Sequence, residues 1–152
     1  MKKRVISIML LSFILITLAG CKKETPVSTT EEKKGIQLVS VSEVQDAIDK
    51  EDLYIFVLGN GDCPACEMYE ESLEELEETE NVKLDYIDIL EENRSEVEDL
   101  LYNVLNQDSE EGIATPTTFF IRNGEVVDTL VGAVDFETLM EDYGDIIKEF
   151  AK

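Results

Sequence analysis

The chain has no histidine. That absence removes Ser–His and Cys–His catalytic couples, histidine-containing zinc sites and any imidazole-based pH switch. Positive charge is scarce too: 13 lysines and arginines stand against 35 acidic residues, for a formal net charge of −22. Nucleic-acid binding needs clustered cations to neutralise phosphates, so this balance argues against it, and it equally disfavours adhesion to an anionic membrane by charge. The 3 cysteines cannot build a four-thiolate zinc site within one chain. Long apolar runs are missing as well. The longest, Val5 to Ala19, is about 15 residues, short of the ~20 needed to span a bilayer as a helix. At 152 residues the chain has room for one compact core and a targeting segment, not for a second core.

What is present begins with an address. Lys2, Lys3 and Arg4 precede the apolar run, which is interrupted only by Ser7, Ser12 and Thr17 and closes on Leu18-Ala19-Gly20-Cys21. The arrangement is that of a secretory signal peptide. Its last four residues closely resemble the bacterial lipobox, in which the cysteine thiol is acylated with diacylglycerol and the chain is cut just before it. The resemblance implies a signal peptide over residues 1–20, lipid on Cys21, and a protein tethered to the cell membrane on its extracytoplasmic face. It also accounts for the odd cysteine, leaving Cys63 and Cys66 to pair with each other. Residues 21–35 read as a polar linker with Val27 as its one large aliphatic residue. About 14 such residues reach roughly 20 Å as a flexible chain.

From residue 36 to 152 the hydrophobic period switches repeatedly, as in an α/β domain. Ile36 to Val41 is a short β-like run, and Ser42 is placed to cap a helix starting near Glu43. Leu53 to Leu58 is continuously apolar, the pattern of a strand buried on both faces. Pro64 to about Glu80 is helical, Val82 to Ile89 alternates as a strand, and Arg94 to Asn106 follows helical spacing. Thr117 to Arg122 and Glu125 to Val131 are strands joined by Asn123-Gly124, a strong hairpin signal, and Phe136 to Phe150 is an amphipathic helix. The order is β-α-β-α-β-α-β-β-α: a central mixed sheet flanked by helices, parallel through the crossovers and antiparallel at the last hairpin. The glutamate-rich runs Glu70 to Glu80 and Glu91 to Asp99 read as solvated helix faces.

Chemistry concentrates in Gly61-Asp62-Cys63-Pro64-Ala65-Cys66, where a buried strand ends and a helix begins. Unpaired N–H groups and the dipole at a first helical turn favour a thiolate, and Pro64 suits that turn because its missing N–H costs nothing there. Cys63 is then the outer, attacking sulfur. Cys66, one turn inside, resolves the mixed disulfide that Cys63 forms. A structural staple over so short a loop would constrain little of the unfolded chain, and zinc lacks its second ligand pair.

Residues 36–152 resemble the thioredoxin family along their whole length. Besides Cys63-Pro64-Ala65-Cys66, Gly112-Ile113-Ala114-Thr115-Pro116-Thr117 looks like that family's cis-proline loop, and Phe119 to Val127 with Val131-Gly132 looks like its terminal hairpin. The resemblance implies a thioredoxin fold, a redox-active disulfide between Cys63 and Cys66, and substrate binding at Thr115 and Pro116. There the Thr115 backbone would pair with a substrate's chain as an added strand. It implies no resident cofactor or metal. Its partners would be thiols and disulfides of exported proteins, with a membrane redox protein as a further one.

The departures from the family are specific. The family's usual Trp-Cys-Gly-Pro-Cys-Lys is replaced by Asp62-Cys63-Pro64-Ala65-Cys66-Glu67, and no tryptophan occurs anywhere. Val57 falls where the family keeps a buried aspartate and Leu84 where it keeps that residue's lysine partner, so the usual proton acceptor for Cys66 is missing. Asp62 and Glu67 oppose thiolate formation against the helix dipole, and the sequence leaves the sign of the sum open. Three functions compete. The first is a lipid-anchored thiol–disulfide oxidoreductase acting on exported proteins. The second is a non-catalytic accessory lipoprotein that holds a secretion or transport component, a type represented by small bacteriocin transport accessory proteins with this general look. The third, a copper carrier, is disfavoured by the missing histidine.

Overall fold

The structure is a computed structural model that describes residues 36–108 and 112–151. The signal-peptide, Cys21 and linker readings lie outside the described residues. Among the described residues, no helix is long and apolar enough to cross a membrane.

The element order follows the sequence reading: β1 (Gln37–Leu38), α1 (Val41–Lys50), β2 (Leu53–Gly59), α2 (Pro64–Glu80), β3 (Asp85–Asp88), α3 (Arg94–Asp99), β4 (Thr117–Arg122), β5 (Glu125–Val131) and α4 (Phe136–Phe150). The strands form one sheet in the order β1-β3-β2-β4-β5. β2 lies at its centre, parallel to β3 and antiparallel to β4. The antiparallel pairing therefore begins one strand earlier than the last hairpin, because the segment through α3 returns β4 against the direction of β2.

Alternation along β2 divides the core between two faces. Tyr54, Phe56 and Leu58 face α1 and α3, packing with Val44, Ile48, Val97 and Leu100. Ile55 and Val57 face α2 and α4, packing with Tyr69, Leu73, Leu76, Leu139 and Ile147. Both faces of β2 are thus covered, as its continuous apolar run requires.

Several boundaries differ from the sequence reading. Ser40, not Ser42, caps α1: its hydroxyl accepts from the Glu43 N–H at 3.3 Å while its own N–H donates to the Glu43 carboxylate at 2.8 Å. Val41 is itself core, 2% exposed, so the helix begins earlier and truncates the β-like run to Gln37–Leu38. The segment read as one helix to Asn106 changes pitch after Asp99, with a π-helical turn over Leu100–Val104. The Leu105 N–H there donates to the Leu100 carbonyl at 2.9 Å, which keeps Leu100, Leu101 and Leu105 all on the core face. At the last hairpin Asn123 and Gly124 both take positive φ, 52° and 81°, the pair a tight two-residue turn requires.

Candidate functional site

β2 ends at Gly59, and the chain turns through Asn60, Gly61 and Asp62 into α2. The turn is held from three sides. The Asn60 carbonyl oxygen accepts from the Cys63 N–H at 3.0 Å, its side-chain oxygen accepts from the Asp62 N–H at 2.9 Å, and the Asp88 carboxylate accepts from the Gly61 N–H at 3.2 Å. Cys63 is thereby fixed as the N-cap of α2 with Pro64 in the first turn. Its sulfur takes the capping role that serine or aspartate oxygen usually fills, accepting the Cys66 N–H at 3.3 Å.

The two sulfurs occupy different environments, as the sequence reading expects. Cys63 is partly exposed and Cys66 is 5% exposed; both are free thiols here. The Cys63 thiol is held below the ordinary thiol value. The Cys66 thiol that faces it is the largest cause, then the Cys66 backbone N–H, with smaller help from Thr115 and the Ala65 N–H. This supplies the sign that the sequence left open: these hydrogen bonds outweigh the partial burial of the sulfur, which acts the other way. The Cys66 thiol is pushed up instead, first by burial and then by the neighbouring Cys63 thiol.

The loop before β4 completes the site. Thr115-Pro116 is a cis peptide bond, and the Thr115 carbonyl oxygen lies 3.6 Å from the Cys63 sulfur. The Pro116 carbonyl accepts from the Gly132 N–H at 2.8 Å, and the Thr117 hydroxyl donates to the Ala114 carbonyl at 3.0 Å, so the loop is tied at both ends. Cys63, Cys66, Thr115 and Pro116, far apart in sequence, are brought to one end of the sheet. Cys21 lies outside the described residues.

Solved structures similar to this one include several thioredoxins. The thioredoxin of Plasmodium falciparum superposes with a TM-score of 0.55 at 26% identity, over 76% of this chain and 100% of that one. The fold is the thioredoxin fold. Thioredoxin from Trypanosoma brucei brucei gives a TM-score of 0.58 at 19% identity, over 80% of this chain and 99% of that one. A mutant thioredoxin from Halobacterium salinarum gives 0.56 at 22% identity, over 78% and 93%. No protein-family model matches the sequence, and no curated protein matches it either. This chain is thus a thioredoxin-fold protein carrying a Cys63–Cys66 pair at the strand–helix junction.

The two substitutions singled out in the sequence are both in the core of the α2 face. Val57 and Leu84 are each 0% exposed and pack in the same apolar cluster. One neighbour escaped the sequence reading. Tyr86, two residues beyond Leu84 on the same face of β3, pairs with Val57 in the ladder and walls the same cavity as Cys66. Alternation from Leu84 was the available signal.

Proposed function

We propose that the protein is a membrane-anchored, extracytoplasmic thiol–disulfide oxidoreductase that exchanges disulfides with exported proteins through Cys63 and Cys66. The observation that carries this reading is the asymmetry of the pair. The partly exposed sulfur at the helix N-terminus is favoured as an anion, while the buried one, a single turn away, is held as a thiol until it is needed.

The reaction follows from that asymmetry. The Cys63 thiolate attacks a substrate disulfide, forming a mixed disulfide and releasing one substrate sulfur as a thiolate, which takes a proton from water. Cys66 then loses its proton and attacks the Cys63 sulfur. A Cys63–Cys66 disulfide forms, the Cys63–substrate bond breaks, and the second substrate thiolate leaves. Two electrons pass from the protein dithiol to the substrate disulfide; run backwards, the same steps oxidise a substrate dithiol. Thr115 and Pro116 form the rim against which the substrate strand would lie, in keeping with the contact between the Thr115 carbonyl and the Cys63 sulfur.

Anchoring rests on Leu18-Ala19-Gly20-Cys21 and the positively charged, apolar segment before it. Cys63→Ser tests the catalytic reading cleanly, because serine keeps an N-cap acceptor at that position. The variant should stay folded and lose disulfide reduction in an insulin-turbidity assay with dithiothreitol; undiminished turnover would reject the reading. Cys21→Ser should abolish incorporation of radiolabelled palmitate in a bacterial host, and retained label would reject the anchor.

A further inference from the structure

The resolving step requires Cys66 as an anion, yet burial and the Cys63 thiol push its pKa up against the smaller opposing help of the Asn60 backbone and Thr115. Its sulfur is 5% exposed, and its own N–H is committed to the Cys63 sulfur. Val57 on β2, where the resemblance puts the family's buried aspartate, is 0% exposed and has no polar atom to offer. The adjacent strand supplies what β2 lacks. Tyr86 sits opposite Val57 in the parallel ladder, on the α2 face of the sheet.

The direction of the Tyr86 side chain is fixed by Gly59. A Cβ added at Gly59 would lie 1.7 Å from the Tyr86 Oη and 2.1 Å from Cζ, so the phenol end rests on the bare backbone at the last residue of β2. From there Tyr86 and Cys66 wall one open cavity of about 390 Å³. The charged groups facing that cavity are Glu67 and Glu70 from α2 and Asp88 from β3. All three are carboxylates and oppose a second anion. The phenol itself stays protonated. Burial is the main cause of its raised pKa, followed by the nearby Cys66 sulfur and then by Asp88 and Glu70.

The geometry points to Tyr86 as the positioning residue for the resolving thiol: its hydroxyl, seated on Gly59, donates a hydrogen bond to the Cys66 sulfur and stabilises the anion that attacks Cys63. The Cys66 proton leaves to water in the open cavity, and Tyr86 keeps its own. The assignment rests on the oxidoreductase reading and names a residue that acts in its second half-reaction alone.

Tyr86→Phe in the full chain tests it, with the two half-reactions read apart. Capture of a small aromatic disulfide by Cys63, measured in a Cys66→Ser background, should change less than about twofold. Release of the captured thiol in the intact pair should slow roughly tenfold at neutral pH. The Cys66 thiolate absorbance in a Cys63→Ser background should titrate about one pH unit higher, since one unit is a tenfold change in thiolate fraction. Unchanged release and titration, or equal slowing of capture and release, would overturn the assignment. Absence of any release in the unsubstituted protein would instead overturn the oxidoreductase reading. A readout that needs no substitution at Tyr86 accompanies these. In the Cys63→Ser chain labelled with ¹³C-tyrosine, the Tyr86 Cζ resonance should shift with the same midpoint as Cys66, and an invariant resonance would count against the contact.

Discussion

Gly59→Ala is the sharpest structural perturbation available, because its effect should depend on one other side chain. No backbone conformation at Gly59 demands glycine, so the methyl group matters only for what it meets. It meets the Tyr86 phenol at 1.7 Å (Oη), 2.1 Å (Cζ) and 2.8 Å (Cε2). The rigid ring must swing as a unit into the open cavity, giving up its seat on β2. Overpacking of this kind costs about 1–3 kcal/mol. A loss of ~2 kcal/mol would lower the urea midpoint by roughly 1 M, taking a typical slope for a small domain. In a Tyr86→Ala background the obstruction is gone. There the same substitution should be neutral or stabilising by about 0.4–1 kcal/mol, because alanine restricts the unfolded chain. The four proteins of the double-mutant cycle should give a coupling of roughly 2 kcal/mol, inside the range for residues in contact. An equal cost of Gly59→Ala in both backgrounds would show that the phenol does not occupy this position.

The lowered Cys63 thiol should make its alkylation by iodoacetamide titrate with a midpoint below the ordinary thiol value, with Cys66 protected until Cys63 is modified; mass spectrometry of peptides quenched along a pH series reads both. Phe120, 1% exposed, stacks on Tyr143 at 5.5 Å and meets Phe150 edge-on at 6.2 Å, so Phe120→Ala should cost about 3–5 kcal/mol in urea unfolding. Ser40→Ala should cost about 1 kcal/mol at neutral pH through loss of the α1 cap. The Glu43 carboxyl is held below its usual value, first by the Ser40 backbone N–H and then by the Ser40 hydroxyl. That contribution is present above the ordinary glutamate value and fades as pH falls through the depressed one. The deficit of Ser40→Ala should therefore shrink in acid.

Where local chemistry determines an element, the sequence was enough. Pro64, Asn123-Gly124 and the apolar period of Phe136 to Phe150 are local signals, and α2, both strands of the last hairpin and α4 stand where they were read. The Cys63-Pro64-Ala65-Cys66 motif likewise announced its strand–helix junction, and the Thr115-Pro116 loop meets the Cys63 sulfur. The misses share a different cause. Ser40 and Ser42 are both competent caps. Burial of Val41 chooses between them, and that is a tertiary fact. The reversal of β4 against β2 is a matter of how the chain returns from α3, which leaves no local trace. Tyr86 was hidden for the same reason. Alternation from Leu84 gives its face, but its neighbours Val57 and Gly59 follow only from the β2–β3 register.

The central claim is that Cys63 attacks and Cys66 resolves. It is tested most directly by trapping. Full-length Cys66→Ser protein, reacted with a disulfide-containing peptide and digested without reductant, should carry the peptide on Cys63 as a stable mixed disulfide, and the unsubstituted protein should instead accumulate an intramolecular Cys63–Cys66 disulfide with the peptide released. A peptide that attaches to neither cysteine, or a mixed disulfide equally stable with Cys66 intact, would contradict the account.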